Sequence, residues 1–167
     1  HNVRCLPAET SAAETVGAGA AASGSLRVGW AVGDGGLAIL TVDGGRSWQL
    51  PAAPLPESSR QFDYRAVAVL GGNCWIAGAP GTCVFHTPDG GQTWGCLQTG
   101  QSLPIRALTF LDANRGWAVG ALGTILATRD GGRSWTVQQQ GGTRAALLGL
   151  FAEAGSIPLE LLADLGG

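Results

Sequence analysis

Short apolar runs separated by glycine-rich turns account for most of this chain. Three runs are built around a tryptophan: Gly29-Trp30-Ala31-Val32-Gly33, Cys74-Trp75-Ile76-Ala77-Gly78 and Gly116-Trp117-Ala118-Val119-Gly120. A glycine-containing turn follows each, then a second apolar run at 37–42, 82–87 and 124–129. The second run passes into an octapeptide of the form T-x-D-G-G-x-[ST]-W, at 41–48, 87–94 and 128–135. Asp-Gly-Gly between β-branched apolar runs predicts a hairpin, because glycine supplies positive φ and the aspartate accepts hydrogen bonds from turn amides. Its closing tryptophan gives the next strand, beginning near Ser47, Thr93 and Ser134, a large apolar anchor.

Another apolar strand precedes the tryptophan strand, at 65–70 in the second unit and 106–111 in the third. Four strands of roughly five or six residues, repeating at about 40–45 residues, predict radial sheets arranged as propeller blades. The expected organisation is a low-complexity segment at 1–25, blades over 26–151 and a helical tail or linker at 152–167. Blade 1 covers about 26–50, blade 2 about 65–99 and blade 3 about 105–140. The first unit lacks a leading strand, since 8–25 is mostly Ala, Gly, Ser and Thr. The run at 144–151 begins with the Arg-Ala pair of the other leading strands and reads as one strand of a fourth unit. The segment 157–165 has the spacing of a short amphipathic helix with proline in its first turn. Three blades leave two faces open, so the propeller is expected to be partial or completed by a second copy, the spare strand of one chain serving the first blade of the other.

Composition narrows the classes. The chain has 167 residues, 28 of them glycine, with 45% hydrophobic and 13% charged residues and a formal net charge of −2. That suits many short strands and provides no global field for nucleic acid. No run reaches the length of a membrane-spanning helix, so no membrane insertion is expected. The sequence starts at His1 and contains no methionine, which suggests a processed or excised form. Cys5, Cys74, Cys83 and Cys96 lack metal-site spacing. Cys83 and Cys96 fall on adjacent strands of one hairpin and read either as a disulfide or as small buried residues.

At its octapeptides the chain resembles the Asp-box, or BNR, repeat of sialidases and sortilin-type receptors. The whole unit 116–135 is similar to a blade of the photosystem II stability and assembly factor family, and the similarity extends over roughly 26–140. The resemblance implies a propeller, seven-bladed in that family, outside the cytoplasm of a bacterial-type cell and engaged in assembly or stability of a membrane complex.

The box residues Asp43, Gly45, Trp48, Asp89, Gly91, Trp94, Asp130, Gly132 and Trp135 are expected to be structural, because recurrence in every unit is not how a catalytic residue is distributed. Arg65, Arg106 and Arg144 each start an innermost strand and form a candidate anion- or partner-binding set. The alternative is that each arginine solvates a strand end. Tyr64, with Glu57, Arg60, Asp63 and Arg65 nearby, is the only trace of a sialidase-like site, and His86 has no triad partner. No catalytic residue, metal or cofactor is assigned. The expected function is a non-catalytic scaffold that presents propeller loops to a protein partner and associates with itself. A glycan-hydrolase fragment or accessory domain, and a structural subunit of an oligomer, are the alternatives.

Overall fold

The computed structural model describes residues 27–140 and 147–150. The expected N-terminal segment, Arg144 and the helical tail lie outside them. The described chain is all-β and forms three antiparallel sheets. Strands β1 (Gly29–Val32) and β2 (Ala38–Thr41) pair as one sheet. Strands β3 (Asp63–Leu70), β4 (Asn73–Ala79), β5 (Cys83–Thr87) and β6 (Gly95–Gln98) form the second in simple order. Strands β7 (Ile105–Phe110), β8 (Gly116–Gly120), β9 (Ile125–Thr128) and β10 (Thr136–Gln139) repeat that order in the third.

Two expectations need correction. Blade 1, expected to lack only its leading strand, is two-stranded among the described residues. Its outer edge is held only where Leu40 and Gln49 exchange both backbone hydrogen bonds, at 2.8 and 2.9 Å. Pro51 and Pro54 follow at once; proline has no N–H to extend a ladder, so the fourth strand stops as a single bridge. The spare strand expected at 144–151 is not a strand over its described part, 147–150. There the Leu147 amide donates to the Gly120 carbonyl at 2.9 Å.

The sheets stand face to face around two cores. Trp30, Val32, Ala38 and Leu40 of blade 1 pack on Val67, Cys74, Ile76 and Phe85 of blade 2, with Phe62 and Tyr64 between. The opposite face of blade 2, Ala66, Ala68, Trp75, Ala77 and Val84, packs on Ile105, Leu108, Ala118 and Leu126 of blade 3. At the boundary between blades 2 and 3, the inner strand β3 contributes Ala66 and Ala68 and the second strand β4 contributes Trp75. Radial sheets diverge outward, so the gap near the axis is thin and takes alanine, while further out it takes an indole.

β3 and β7 lie side by side as the innermost strands. Each carries a bulge at the same place: the register slips between Tyr64 and Ala66, and between Ile105 and Ala107. The extra residues are Arg65 and Arg106. Opposite each bulge stands a glycine that the close approach of the bulged backbone requires. A Cβ on Gly78 would lie 2.7 Å from Tyr64 Cα, and one on Gly120 3.1 Å from Ile105 Cα.

Replacing Gly78 with alanine should therefore destabilise the fold by about 1–3 kcal/mol through backbone overpacking. Denaturant unfolding checks this; an unchanged midpoint would show that the bulge relaxes freely.

Candidate functional site

The three Asp boxes share one hydrogen-bond pattern. In the second, Thr87 Oγ1 donates to Asp89 Oδ1 at 2.8 Å and accepts from the Gly91 amide at 2.8 Å. The Thr93 amide donates to Asp89 Oδ1 at 2.8 Å and the Thr93 hydroxyl to Oδ2 at 2.6 Å. Thr41, Asp43, Gly45 and Ser47 repeat this, as do Thr128, Asp130, Gly132 and Ser134. Both glycines of every box hold positive φ, from 70° to 94°. A carboxylate that accepts so many bonds is stabilised in its charged form. The hydroxyls of Thr93 and Ser134 are the chief cause holding Asp89 and Asp130 down at about 2, and Ser47 holds Asp43 lower still.

Each box also reaches out of its own turn. The first-glycine amide donates to the Arg27, Gly72 or Asn114 carbonyl at 2.8–3.0 Å, which ties the box to the start of its own second strand. Boxes two and three press on the preceding blade. A Cβ on Gly91 would lie 3.0 Å from Trp30 Cη2, and one on Gly132 3.2 Å from Leu97 Cδ1. Trp75 donates its indole N–H to the Gly131 carbonyl at 2.8 Å. Trp94 meets Trp30 edge-on at 5.6 Å, and Phe110 stacks on Trp75 at 3.7 Å with Trp135 against its edge. All three boxes thus fix their own turns, and boxes two and three also join their blade to the one before.

The axial arginines are a different feature. Arg65 pairs with Asp34 of the β1–β2 turn at 3.1 Å and lies 4.0 Å from Asp63, which also accepts from the Gly35 amide. Arg106 Nε is buried with no hydrogen-bond partner among the described residues. The structure therefore brings two of the three arginines onto adjacent inner strands. Asp34 escapes sequence reasoning because nothing in a turn Asp-Gly-Gly signals a partner in the next blade. The glycines at 78 and 120 were visible three residues after Trp75 and Trp117, but their role at a bulge was not.

Other candidates resolve into packing. Tyr64 is 1% exposed between Phe62 and Phe85, its hydroxyl is buried with no hydrogen-bond partner among the described residues, and burial raises its phenol well above the usual value. Glu57 and Arg60 sit exposed on a short 3-10 turn. A buried phenol held protonated is not placed to attack a sugar. His86 stacks on Trp75 at 4.9 Å and its Nε2 bonds Asn73 Oδ1 at 2.9 Å. Burial lowers its pKa, with Arg133 adding to the effect. Cys83 and Cys96 are joined by a disulfide, with Cα atoms 5.8 Å apart, and Cys74 is a buried free thiol. Among the described residues no three potential metal ligands come together.

These features give an acid profile with a definite sign. His86 binds its proton more weakly folded than unfolded, so stability should begin to fall below about pH 6.5. The box aspartates ionise near 2 folded against roughly 3.9 unfolded, so their contribution is complete above about pH 4 and lost toward pH 2. Thermal melts followed by tryptophan fluorescence from pH 8 to 2 test both steps. Thr87→Val, which strands the Gly91 amide, should cost about 1–3 kcal/mol at neutral pH in the same assay.

Residues 21–109 match the family model described as photosynthesis system II assembly factor YCF48. The photosystem II assembly lipoprotein Ycf48 of Synechococcus sp. (strain CC9902) is 33% identical over 109 residues, which is 64% of this chain and 32% of that protein. A solved structure of YCF48 bound to D1 peptide superposes with a TM-score of 0.57 at 29% identity, over 66% of this chain and 36% of that one. YCF48 from Cyanidioschyzon merolae gives 0.58 at 28% identity, over 72% of this chain and 37% of that one. The chain therefore spans about a third of the length of each.

Proposed function

Since the chain belongs to the photosystem II assembly factor YCF48 family, we propose that it is a non-catalytic protein-binding module acting in the assembly or stability of a membrane complex. A YCF48 structure holds a D1 peptide, which makes a peptide segment of a membrane protein the expected kind of partner. The lipoprotein name of the Synechococcus relative supports placement outside the cytoplasm. Among the described residues, no helix is long and apolar enough to cross a membrane. Copies of the chain also associate with each other, so that blade faces open in one copy are covered in another.

The observation that carries the binding role is the pair of bulged arginines on adjacent inner strands. Arg65 is already engaged by Asp34, whereas Arg106 keeps a buried guanidinium nitrogen without a partner among the described residues. A bulge re-aims the side chain it carries, and its recurrence puts Arg65 and Arg106 at equivalent positions of the adjacent strands β3 and β7. A planar guanidinium recognises carboxylates through charge-assisted hydrogen bonds. Arg144 completes the set proposed from the sequence. The ligand this favours is an acidic peptide segment.

Fluorescence anisotropy with a labelled acidic peptide tests the reading. Arg106→Ala should weaken binding about tenfold or more, equivalent to about 1.4 kcal/mol. Arg65→Ala should weaken it less, because Asp34 competes for that guanidinium. A peptide with Gln and Asn in place of its Glu and Asp should bind poorly to all forms. Equal affinity of the acidic peptide for native and Arg106→Ala protein would overturn the assignment.

A further inference from the structure

We propose that Asp34 is a built-in competitor for the acidic ligand: its carboxylate occupies Arg65 as a ligand carboxylate occupies Arg106, and the residue at this turn position decides which bulged arginine the ligand engages. This rests on the acidic-peptide reading above and adds a gate to it. The two joints concerned, between blades 1 and 2 and between blades 2 and 3, both lie inside the described residues. They are built alike. The turn between β1 and β2 (Asp34–Gly36) lies against the entry to β3: the Gly36 amide donates to the Phe62 carbonyl at 2.7 Å, and a Cβ on Gly36 would meet the Ser59 carbonyl. The turn between β4 and β5 lies against the entry to β7: the Gly81 amide donates to the Ser102 carbonyl at 3.3 Å, and a Cβ on Gly81 would meet the Leu103 carbonyl. Gly33 and Gly78 each stand three residues after a strand tryptophan, so Asp34 and Ala79 hold the same place. Asp63 and Pro104 likewise correspond, each two residues before its bulged arginine.

The two joints differ in charge. At the first, Arg65 Nη2 lies 3.1 Å from Asp34 Oδ1 and 4.0 Å from Asp63 Oδ2, and Asp63 also accepts from the Gly35 amide at 3.1 Å. At the second, Ala79 stands for Asp34, Pro104 for Asp63, and Pro80, which has no N–H, for Gly35. Each part of the carboxylate arrangement is replaced, and Arg106 Nε is buried with no hydrogen-bond partner among the described residues. A turn needs no acid to stay in place here: at the second joint the Thr99 hydroxyl and the Gln101 side-chain amide both donate to the Gly81 carbonyl, the latter at 2.8 Å. Asp34 therefore does more than hold a turn. It satisfies a guanidinium with the same group that an acidic peptide would bring. A ligand at Arg65 exchanges one ion pair for another and gains little, whereas at an unpaired arginine it gains the whole charge-assisted bond. The Arg65 and Asp34 side chains are 30% and 45% exposed, so a ligand carboxylate can reach the pair.

The test uses the 167-residue chain and fluorescence anisotropy with a fluorescein-labelled peptide of mixed Glu and Asp. Ala79→Asp places a carboxylate beside Arg106 and should weaken binding about tenfold, as Arg106→Ala does. Ala79→Asn, of the same size and uncharged, should weaken it far less. Asp34→Asn releases Arg65 and should tighten binding about threefold or more, and adding Arg65→Ala should abolish that gain. Asp34→Asn alters an exposed side chain, so it reads the gate even where Ala79→Asp fails to fold. Weaker binding by Arg106→Ala, with unchanged affinity in Ala79→Asp and Asp34→Asn, would leave the binding reading standing and overturn the gate. Equal losses from Ala79→Asp and Ala79→Asn, without tightening by Asp34→Asn, would make the effect steric and also overturn it. A peptide that binds neither the native protein nor Asp34→Asn would remove the binding reading and the gate together.

Discussion

The Asp-Gly-Gly turn of one blade, laid over the tryptophan of the blade before it, closes both internal blade boundaries. Radial sheets touch one another only through their flat faces, and the gap between them widens away from the axis. A tryptophan at the outer half of each gap, roofed by the backbone of the next box, fills that widening space. Fully burying an indole is worth on the order of 3 kcal/mol or more, so these two side chains rank among the largest single contributions at the boundaries. The glycines make the roof possible, because a Cβ at Gly91 would press into Trp30 and Pro51.

The roof has to be rigid to do this, and the box supplies rigidity from polar groups that remain near water. One threonine hydroxyl and one aspartate carboxylate bind the turn amides and the following hydroxyl. The turn reaches the neighbouring blade already shaped, so little conformational entropy is lost on docking. The same arrangement explains why the aspartates are strongly acidic: their charge is used by donors within the turn.

Bulge and box lie at opposite edges of blades 2 and 3. In an antiparallel four-strand sheet, the start of the first strand and the end of the second share one edge, and the end of the third strand lies at the opposite edge. The bulged arginines occupy the first edge and the boxes the second. Blade stacking is settled at the box edge, which leaves the arginine edge free to vary in chemistry. Glycine is needed at both edges for different reasons: positive φ within the box, and room for a bulged backbone opposite Arg65 and Arg106.

Much of this was legible in the chain itself. Local chemistry is enough to predict a turn at each Asp-Gly-Gly, strands around each tryptophan and the repeat that makes them blades, because the period of the pattern and the demand for positive φ are properties of neighbouring residues. Recurrence alone marked Asp43, Asp89 and Asp130 as structural. Proximity between blades was not legible: that Asp34 would meet Arg65, that Tyr64 would be walled in by Phe62 and Phe85, or that blade 1 would stop at a single bridge to Gln49. Those facts depend on how sheets 40 residues apart in sequence stack around an axis, and a one-dimensional pattern carries no term for which face meets which. Sequence determined the blades, and only tertiary packing decided which of their faces and charges remain available.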